Sequence, residues 1–408
     1  MVELDVDFVR KQFPAFDEPT LREEAFFENA GGSYPCRYVI WRLHRFYRER
    51  KVQPYGPYAA SQAGGAEMDE ARSRLSRILG VEGDELHFGP STSANTYVLA
   101  QAFRDYLPRG CAIIVTNQDH EANSGPWRRL AADGFEIREW RMDPATGHLD
   151  PDALAALLDD KVKLVCFPHC SNVVGEVNPV EQICAMIAQA GAISCVDGVS
   201  YAPHGLPDVA RLGADIYLFS AYKAWGPHQG LMVVRQALAA DLPNQGHEFN
   251  AASLAKRLTP AGPDHAQVAA CAGIADYIDA LYTGHHKAGR DGRGRARVVH
   301  DMIRSREIHL MQPLLEYLHG RNDLRLLGPA EAHDRAPTIA IAHARPGAEL
   351  ARALVPHGIM AGGGAFYADR LLGALGIPPA HGVLRLSFLH YTRAEEVDRV
   401  IRALDCVL

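Results

Sequence analysis

Short apolar runs alternate with helical patterns between about residue 85 and residue 235, and this alternation limits the fold more than any other feature of the chain. The strand-like runs are rich in β-branched and aliphatic residues, whereas the stretches between them carry apolar side chains at helical spacing. A repeated strand-helix-strand order produces a mostly parallel sheet that helices cover on both faces. The predicted strands are 85–88, 112–115, 135–140, 164–167, 193–196, 216–219 and 231–234.

A second and smaller alternation follows a polar, Gly- and Pro-containing stretch that ends near Pro263. It begins with predicted helices at about 266–281 and 298–319. It continues with strands 324–327, 338–341, 358–360 and 383–387, and with helices 348–354, 367–375 and 394–404. We therefore predict an N-terminal segment (1–20) packed on the small domain, a large domain (21–265) and a small C-terminal α/β domain (266–408).

The charge balance argues against a protein that binds nucleic acid. The chain has 408 residues with 42 Lys plus Arg and 49 Asp plus Glu, which gives a formal net charge of -7. No overall positive field is available to attract phosphate backbones. The one local basic run is interrupted by glycines and contains no aromatic side chain for base stacking; it comprises Lys287, Arg290, Arg293, Arg295 and Arg297.

Neither a secretory signal nor a membrane span is visible in the sequence. The first residues mix charged and isolated apolar side chains, and no apolar run reaches the roughly 18 residues that a bilayer span needs. The 8 cysteines are scattered, mostly inside apolar segments, and Cys406 in the last predicted helix is expected to pack there. Cys166 and Cys170 lack a second ligand pair, so no metal site is predicted. We expect a cytoplasmic protein without a membrane partner.

Polar residues with chemical capability follow four of the predicted strands. Asp197 follows strand 193–196, Lys223 follows strand 216–219, His120 ends the loop after strand 112–115, and Asn172 follows strand 164–167. Ligands bind beyond the carboxyl ends of parallel strands, so neighbouring strands would bring these side chains into one crevice. Each residue alone has an ordinary structural explanation as a cap, turn or packing residue, and only their joint placement favours a site.

The four side chains fit the requirements of pyridoxal 5'-phosphate. This cofactor needs an amine that forms an imine with its aldehyde and then moves protons, and an acid beside its pyridine nitrogen. Lys223 and Asp197 meet these requirements, while His120 would stack on the ring and Asn172 would bond its phenolic oxygen. A phosphate would fit the strand-to-helix junction that carries Ser91, Thr92 and Ser93, together with Ser220.

The same residues carry a resemblance to a known family. The segments FFENAGGS, QDHEANSGPW, SNVVGEVNP, CVDGVSYAPHG, FSAYKAWGP and LRLSFLHYTRAEEVD resemble the class V aminotransferase group of fold-type I pyridoxal phosphate enzymes, in its cysteine desulfurase-like branch. The resemblance implies an α/β fold with a seven-stranded large-domain sheet, and a homodimer. It also implies the following roles: Lys223 as the imine-forming lysine, Asp197 on the pyridine nitrogen, His120 on the ring, Asn172 near the phenolic oxygen, and Thr92 and Ser220 at the phosphate. Arg385 and Asn29 are implied to bind the substrate, with Arg385 on its carboxylate.

Three departures from the family pattern bear on the reaction. Cysteine desulfurases of this branch carry a sulfur-accepting cysteine before the last strand, but here that stretch reads MAGGGAF at 360–366, and no cysteine occurs from 272 to 405. Ser200 stands where those enzymes have Gln, and Tyr222 stands where many have His. Both residues are still expected at the cofactor.

The leading functional prediction is a carbon–sulfur lyase that acts on an amino-acid substrate by β-elimination. An aminotransferase and an amino-acid epimerase remain alternatives, because the sequence does not reveal where the proton returns after its removal from the α-carbon. A non-catalytic binding protein with the same fold is a further alternative, disfavoured by the joint presence of Lys223, Asp197 and His120. A nicotinamide-dependent oxidoreductase is disfavoured because no G-x-G-x-x-G follows an early strand.

Overall fold

The computed structural model describes residues 3–286 and 289–408. Met1, Val2, Lys287 and Ala288 lie outside the described residues, so the predicted N-terminal segment is seen from Glu3 onward and the basic run without Lys287. The described strands are β1 Ala25–Phe26, β2 Leu86–Gly89, β3 Ala112–Thr116, β4 Glu136–Trp140, β5 Val162–Pro168, β6 Ile193–Asp197, β7 Ile216–Ser220, β8 Gly230–Val234, β9 Leu324–Leu327, β10 Thr338–His343, β11 Ile359–Met360, β12 Gly362–Gly364 and β13 Val383–Ser387.

Helices of very different length connect these strands, and short 3-10 turns occupy several of the remaining connections. The described α-helices are α1 Val6–Arg10, α2 Arg37–Glu49, α3 Ala59–Leu79, α4 Thr92–Tyr106, α5 Glu121–Arg129, α6 Pro151–Ala155, α7 Val180–Gln189, α8 Val209–Leu212, α9 Gln236–Asp241, α10 Leu254–Arg257, α11 His265–Ala270, α12 Ala272–His285, α13 Gly292–His319, α14 Gly347–Leu354, α15 Asp369–Ala374 and α16 Ala394–Val407.

The large sheet has seven strands in the order β2-β8-β7-β6-β5-β3-β4. Strands β7, β6, β5, β3 and β4 run parallel to one another, whereas β8 is antiparallel to both β2 and β7. The predicted mostly parallel seven-stranded sheet is therefore confirmed. Because the inner strands are parallel neighbours, their carboxyl ends lie along one edge of the sheet.

Both faces of the large sheet are buried, as the near-continuous apolar runs of its strands require. Alternate side chains of β7 enter different apolar clusters: Ile216 and Leu218 pack on one face, and Tyr217 and Phe219 pack on the other. All four are fully buried. This period of two places each strand between two layers of helices.

The smaller sheet is antiparallel, with four strands in the order β12-β13-β10-β9, and its core includes Leu314, Ile339, Leu386 and Val400. Helix α13 contacts α3 and α12 beside the large sheet and α16 beside the small one. Strand β1 pairs with β11, which ties the N-terminal part of the chain to the small domain. The predicted boundaries at residues 20 and 265 stay predictions.

A fully buried arginine joins the two sheets. Arg335 donates hydrogen bonds to the carbonyl of Val174 in the loop after β5 and to the carbonyls of Leu327, Pro329 and Thr338 in the small domain. Burial lowers the pKa of Arg335 to about 10, which still leaves it charged at neutral pH. Four carbonyl dipoles thus hold one desolvated guanidinium, and the loop after β5 is fixed against β10.

Some local predictions differ from the structure. The predicted helix 367–375 begins only at Asp369, because Phe366 and Tyr367 adopt left-handed backbone conformations with φ of 54° and 56°. The predicted helix 266–281 is divided at Cys271 into α11 and α12. Cys406 was expected to pack, and that expectation is wrong, since its side chain is exposed on the polar side of α16.

Within residues 3–286 and 289–408, no helix combines the length and apolar character needed to cross a bilayer. In the same residues, no group of three or more His, Cys, Asp or Glu side chains is arranged to hold a metal ion.

We predict that Arg335→Met lowers the free energy of unfolding by about 3 kcal/mol, because buried carbonyls lose their donors. Urea unfolding followed by fluorescence measures this change. The matched control is Arg141→Met, whose side chain is 79% exposed, with an expected change within about 0.5 kcal/mol. Equal destabilisation by the two substitutions would contradict the role assigned to Arg335.

Candidate active site

The ten residues predicted at the cofactor line one cavity at the carboxyl edge of the large sheet. They are Ser91, Thr92, Ser93, His120, Asn172, Asp197, Ser200, Ser220, Tyr222 and Lys223. The convergence follows from topology, because β7, β6, β5 and β3 are successive neighbours and the chain turns at the end of each. The roles of these residues stay predictions, but their proximity is a feature of the structure.

Lys223 and Asp197 are the central amine and carboxylate of the cavity. Asp197 ends β6, and Lys223 lies in the 3-10 turn that follows β7. Asp197 is 6% exposed and Lys223 is 8% exposed. Burial raises the pKa of Asp197 to about 6 and lowers that of Lys223 to about 8, and each charge opposes the other's shift.

The Lys223 amine is poised for reaction. Within the part of the chain that the structure describes, it has no hydrogen bond or ion pair. The Arg385 charge adds to the effect of burial and lowers the pKa of Lys223 further. A sizeable neutral fraction near pH 8 is the condition under which a lysine acts as a nucleophile or base.

His120 begins helix α5 as its N-cap. Its Nδ1 accepts a hydrogen bond from the backbone N–H of Ala122 at 3.0 Å, which leaves Nε2 as the protonated nitrogen of the neutral ring. Burial, followed by the charges of Lys223 and Arg385, lowers the pKa of His120 to about 4. The ring is therefore neutral at physiological pH and keeps one N–H donor, in a residue that lines the cavity.

The junction before α4 has the form expected of a phosphate cradle. Thr92 begins this helix, and its hydroxyl lies 2.7 Å from the hydroxyl of Ser220. The Ser91 hydroxyl caps the helix by accepting from Ala94 N–H at 3.1 Å, so the ordinary capping role holds for this side chain. The first backbone N–H groups of α4, and the positive end of the dipole of this 15-residue helix, lie beside the cavity.

Two residues that depart from the family pattern also line the cavity. The Tyr222 ring stacks on His228 with centroids 4.8 Å apart, and burial raises the pKa of its phenol. Ser200 lies between this cavity and a smaller adjoining one, which Lys223 and Asn29 also line. Both hydroxyls are thus placed where hydrogen bonds to a cofactor are possible.

Asn172 links the cavity to the small domain. Its side-chain Nδ2 donates to the backbone carbonyl of Phe366 at 2.9 Å, and its backbone carbonyl accepts from Arg385 Nη1 at 3.0 Å. Its Oδ1 is buried without a hydrogen-bond partner among the described residues. An unsatisfied buried acceptor is costly, so this atom fits a ligand that donates a hydrogen bond.

The two predicted substrate-binding residues lie outside the main cavity. Arg385 is buried behind Asn172, with its guanidinium 3.7 Å from the centroid of the Phe366 ring. Asn29 is engaged within the protein: its Oδ1 accepts from the Tyr391 hydroxyl, and its Nδ2 donates to the carbonyls of Phe26 and Ser387, both at 3.2 Å. A substrate role for Asn29 would require one of these bonds to open.

Three further residues lie at the site that the sequence patterns did not predict there. Glu28 pairs with Arg385 at 2.6 Å, Phe366 covers the Arg385 guanidinium, and the Tyr367 ring lies 5.3 Å from the His120 ring. Consecutive non-glycine residues with left-handed backbones, such as Phe366 and Tyr367, concentrate at functional sites. An acidic residue directly before Asn29 was the available signal for Glu28; no sequence signal marked the other two.

The cavity fits pyridoxal phosphate by its own chemistry. It combines a buried amine and an amide oxygen that have no hydrogen-bond partner among the described residues, an adjacent carboxylate, a neutral imidazole, and a helix N-terminus with hydroxyls. These groups match the aldehyde, ring nitrogen, ring face, phenolic group and phosphate of the cofactor in number and type.

Similar proteins have been found by sequence and by structure. The aminotransferase-like protein FGM3 of Gibberella zeae is 33% identical over 99% of this chain and 98% of its own length. A cysteine desulfurase of Yersinia pestis is 29% identical over 98% of this chain and 97% of its own. The apo structure of a cysteine desulfurase from Thermococcus onnurineus covers 100% of this chain and 99% of its own with a TM-score of 0.85, at 23% sequence identity.

The family model that matches this chain is that of class V aminotransferases, over residues 25–274 and 296–400. The match includes Lys223, Asp197, His120 and Arg385, and it spans both sheets. The predicted family and cofactor are thus confirmed: the chain belongs to the class V aminotransferase family of pyridoxal phosphate-dependent enzymes, with similarity to its cysteine desulfurase-like members.

Proposed function

We propose that the protein is a carbon–sulfur lyase that cleaves the Cβ–S bond of a cysteine-derived amino acid. One water is consumed, and the products are a thiol, pyruvate and ammonia. Pyridoxal phosphate, when bound, supplies the electron sink that makes the α-proton acidic. The observation that carries the proposal is the convergence of Lys223, Asp197 and His120 on one cavity, in which Cys170 is the thiol among the described lining residues.

Lys223 is proposed to hold the cofactor and then to move the α-proton of the substrate. Its neutral form can accept a proton near pH 8, and Asp197 would hold the ring nitrogen from the adjacent strand. Thr92, Ser220 and the N-terminus of α4 would bind the phosphate. His120 would stack on the ring, and its Nε2–H would donate a hydrogen bond near the reacting carbon.

A segment without cysteine beside the cavity favours elimination over desulfuration by persulfide. Segment 360–367 reaches the site through Phe366 and Tyr367, and it contains no cysteine. Cys170 lines the cavity, but burial raises its pKa to about 12, so it remains a protonated thiol. A protonated, buried thiol is a poor nucleophile toward substrate sulfur.

An aminotransferase is the second candidate, since the relative from Gibberella zeae is named aminotransferase-like. In that reaction the amino group stays with the enzyme and needs an acceptor keto acid. The two reactions therefore differ in whether ammonia and a thiol are released together.

The protein is further proposed to be a cytoplasmic homodimer that binds a small amino acid. Large apolar side chains remain exposed on and after α2: Trp41, Tyr47, Tyr55 and Tyr58 are 54%, 50%, 58% and 49% exposed. An exposed aromatic surface of this kind is typical of a protein–protein interface. The eight free cysteines fit a reducing compartment.

We predict that Lys223 in the cofactor-free protein reacts with cyanate with a pH midpoint near 8. Only the neutral amine reacts, and burial lowers the pKa of Lys223 to about 8, so the neutral fraction is larger at pH 7 to 8 than for a solvated lysine. Peptide mass spectrometry gives the rate at each pH, with exposed Lys161 as the internal reference. A common midpoint for both lysines would refute the shifted pKa.

Incubation of the holoenzyme with S-alkyl cysteines is expected to release thiol, pyruvate and ammonia in equal amounts. A thiol reagent and coupled assays for pyruvate and ammonia measure the three products. The Lys223→Ala variant should release none, because it lacks the proposed amine. Keto acid formed without thiol and ammonia would replace the lyase by an aminotransferase, and racemisation without cleavage would replace it by an epimerase. No turnover of any kind would favour a binding protein.

Light scattering should give twice the 44.7 kDa chain mass, because the exposed aromatic surface around α2 is expected to be covered by a second copy. The variant Trp41→Glu should shift the population toward single chains, whereas Glu349→Gln, at an exposed position in the small domain, should not. A single-chain mass for an active wild-type protein would exclude the dimer.

A further inference from the structure

The Glu28 carboxylate forms an ion pair with one nitrogen of Arg385, the residue that is proposed to bind the substrate carboxylate. Glu28 Oε1 lies 2.6 Å from Arg385 Nη2. Nη1 donates to the carbonyl of Asn172, and Nε has no hydrogen-bond partner among the described residues. A carboxylate binds the side edge of an arginine through Nε and Nη2 together, and here Glu28 takes one of these two positions.

Glu28 also carries an unused acceptor. Its Oε2 is buried and without a hydrogen-bond partner in residues 3–286 and 289–408. Gly362 lies directly against this oxygen, because a Cβ atom at Gly362 would be only 2.1 Å from it, so only glycine leaves the carboxylate in this position. A buried carboxylate oxygen without a donor is unfavourable, so a ligand group that donates a hydrogen bond to it would be stabilised.

Charge balance identifies the kind of donor. Arg385 and Glu28 already form a neutral pair, and both charges act on Lys223, whose pKa Arg385 lowers and Glu28 raises. An amino acid that binds Arg385 through its carboxylate adds one negative charge beside Glu28. A cationic nitrogen on the substrate side chain would satisfy the free Oε2 and restore the balance.

We propose that Glu28 is a specificity-determining residue, which selects amino acids with a cationic nitrogen in the side chain over those with an aliphatic or acidic side chain. The inference rests on the proposed function, because it takes Arg385 as the binder of the substrate carboxylate. It deepens that function by assigning a substrate class to the surroundings of Arg385. The sulfur on Cβ is still the leaving atom. The cationic nitrogen is carried by another part of the substrate.

The test compares amino acids that differ only by an amino group in place of a methyl group. Lysine is paired with norleucine and ornithine with norvaline, and calorimetry on the holoprotein gives the dissociation constant of each. The wild type is expected to bind at least one diamino acid about tenfold more tightly than its aliphatic partner, as expected for a hydrogen bond to a charged group. In Glu28→Gln this ratio should fall to near one, whereas Glu349→Gln should keep it.

Two results would overturn the inference. One is a ratio near one in the wild type. The other is a ratio that Glu28→Gln leaves unchanged; if every dissociation constant also falls by the same factor in that variant, Glu28 is a simple competitor for Arg385. The variant Arg385→Met separates the inference from its basis: weaker binding of all four amino acids supports Arg385 as the carboxylate binder. Unchanged binding in that variant refutes the carboxylate site and the inference together. The ratio does not depend on which products form, so a failed lyase assay leaves this test intact.

Discussion

Burial of one amine and one carboxylate at the ends of neighbouring strands is the constraint on which the site depends. Strands β6 and β7 are parallel neighbours, so Asp197 and Lys223 leave the sheet at the same edge. Removal from water brings both groups toward neutrality, with a pKa of about 6 for Asp197 and about 8 for Lys223. Burial at the sheet edge, aided by the charge of Arg385, thereby produces a reactive amine.

The site is complete only because the two sheets are held against each other. The large sheet contributes Lys223, Asp197 and Asn172, whereas the small domain contributes Phe366, Tyr367 and Arg385. Asn172 bonds to Phe366 and Arg385 across this boundary, and Arg335 fixes the same loop through the Val174 carbonyl. A shift of the small domain would thus move Phe366 and Arg385 away from Asn172.

Much of this architecture follows from local sequence patterns. Buried strands such as β6 and β7 appear as short apolar runs, and their ends mark where Asp197 and Lys223 emerge. The contact between Glu28 and Arg385 joins residues 357 positions apart, so no local pattern records it. The left-handed backbone at Phe366 and Tyr367 is also imposed by tertiary contacts, since Asn172 and Glu121 N–H each bind one of their carbonyls. The sequence pattern does not record these contacts, so the helix predicted from it begins at Tyr367 instead of Asp369.

The most direct test of the central claim identifies which lysine the cofactor modifies. The purified protein is treated with pyridoxal phosphate, reduced with borohydride and digested, and the labelled peptide is located by mass spectrometry. A single label on Lys223, one per chain, is the result that the account predicts. A label on another lysine, or a Lys223→Ala protein that is labelled to the same extent, would show that the chemistry lies elsewhere in the molecule.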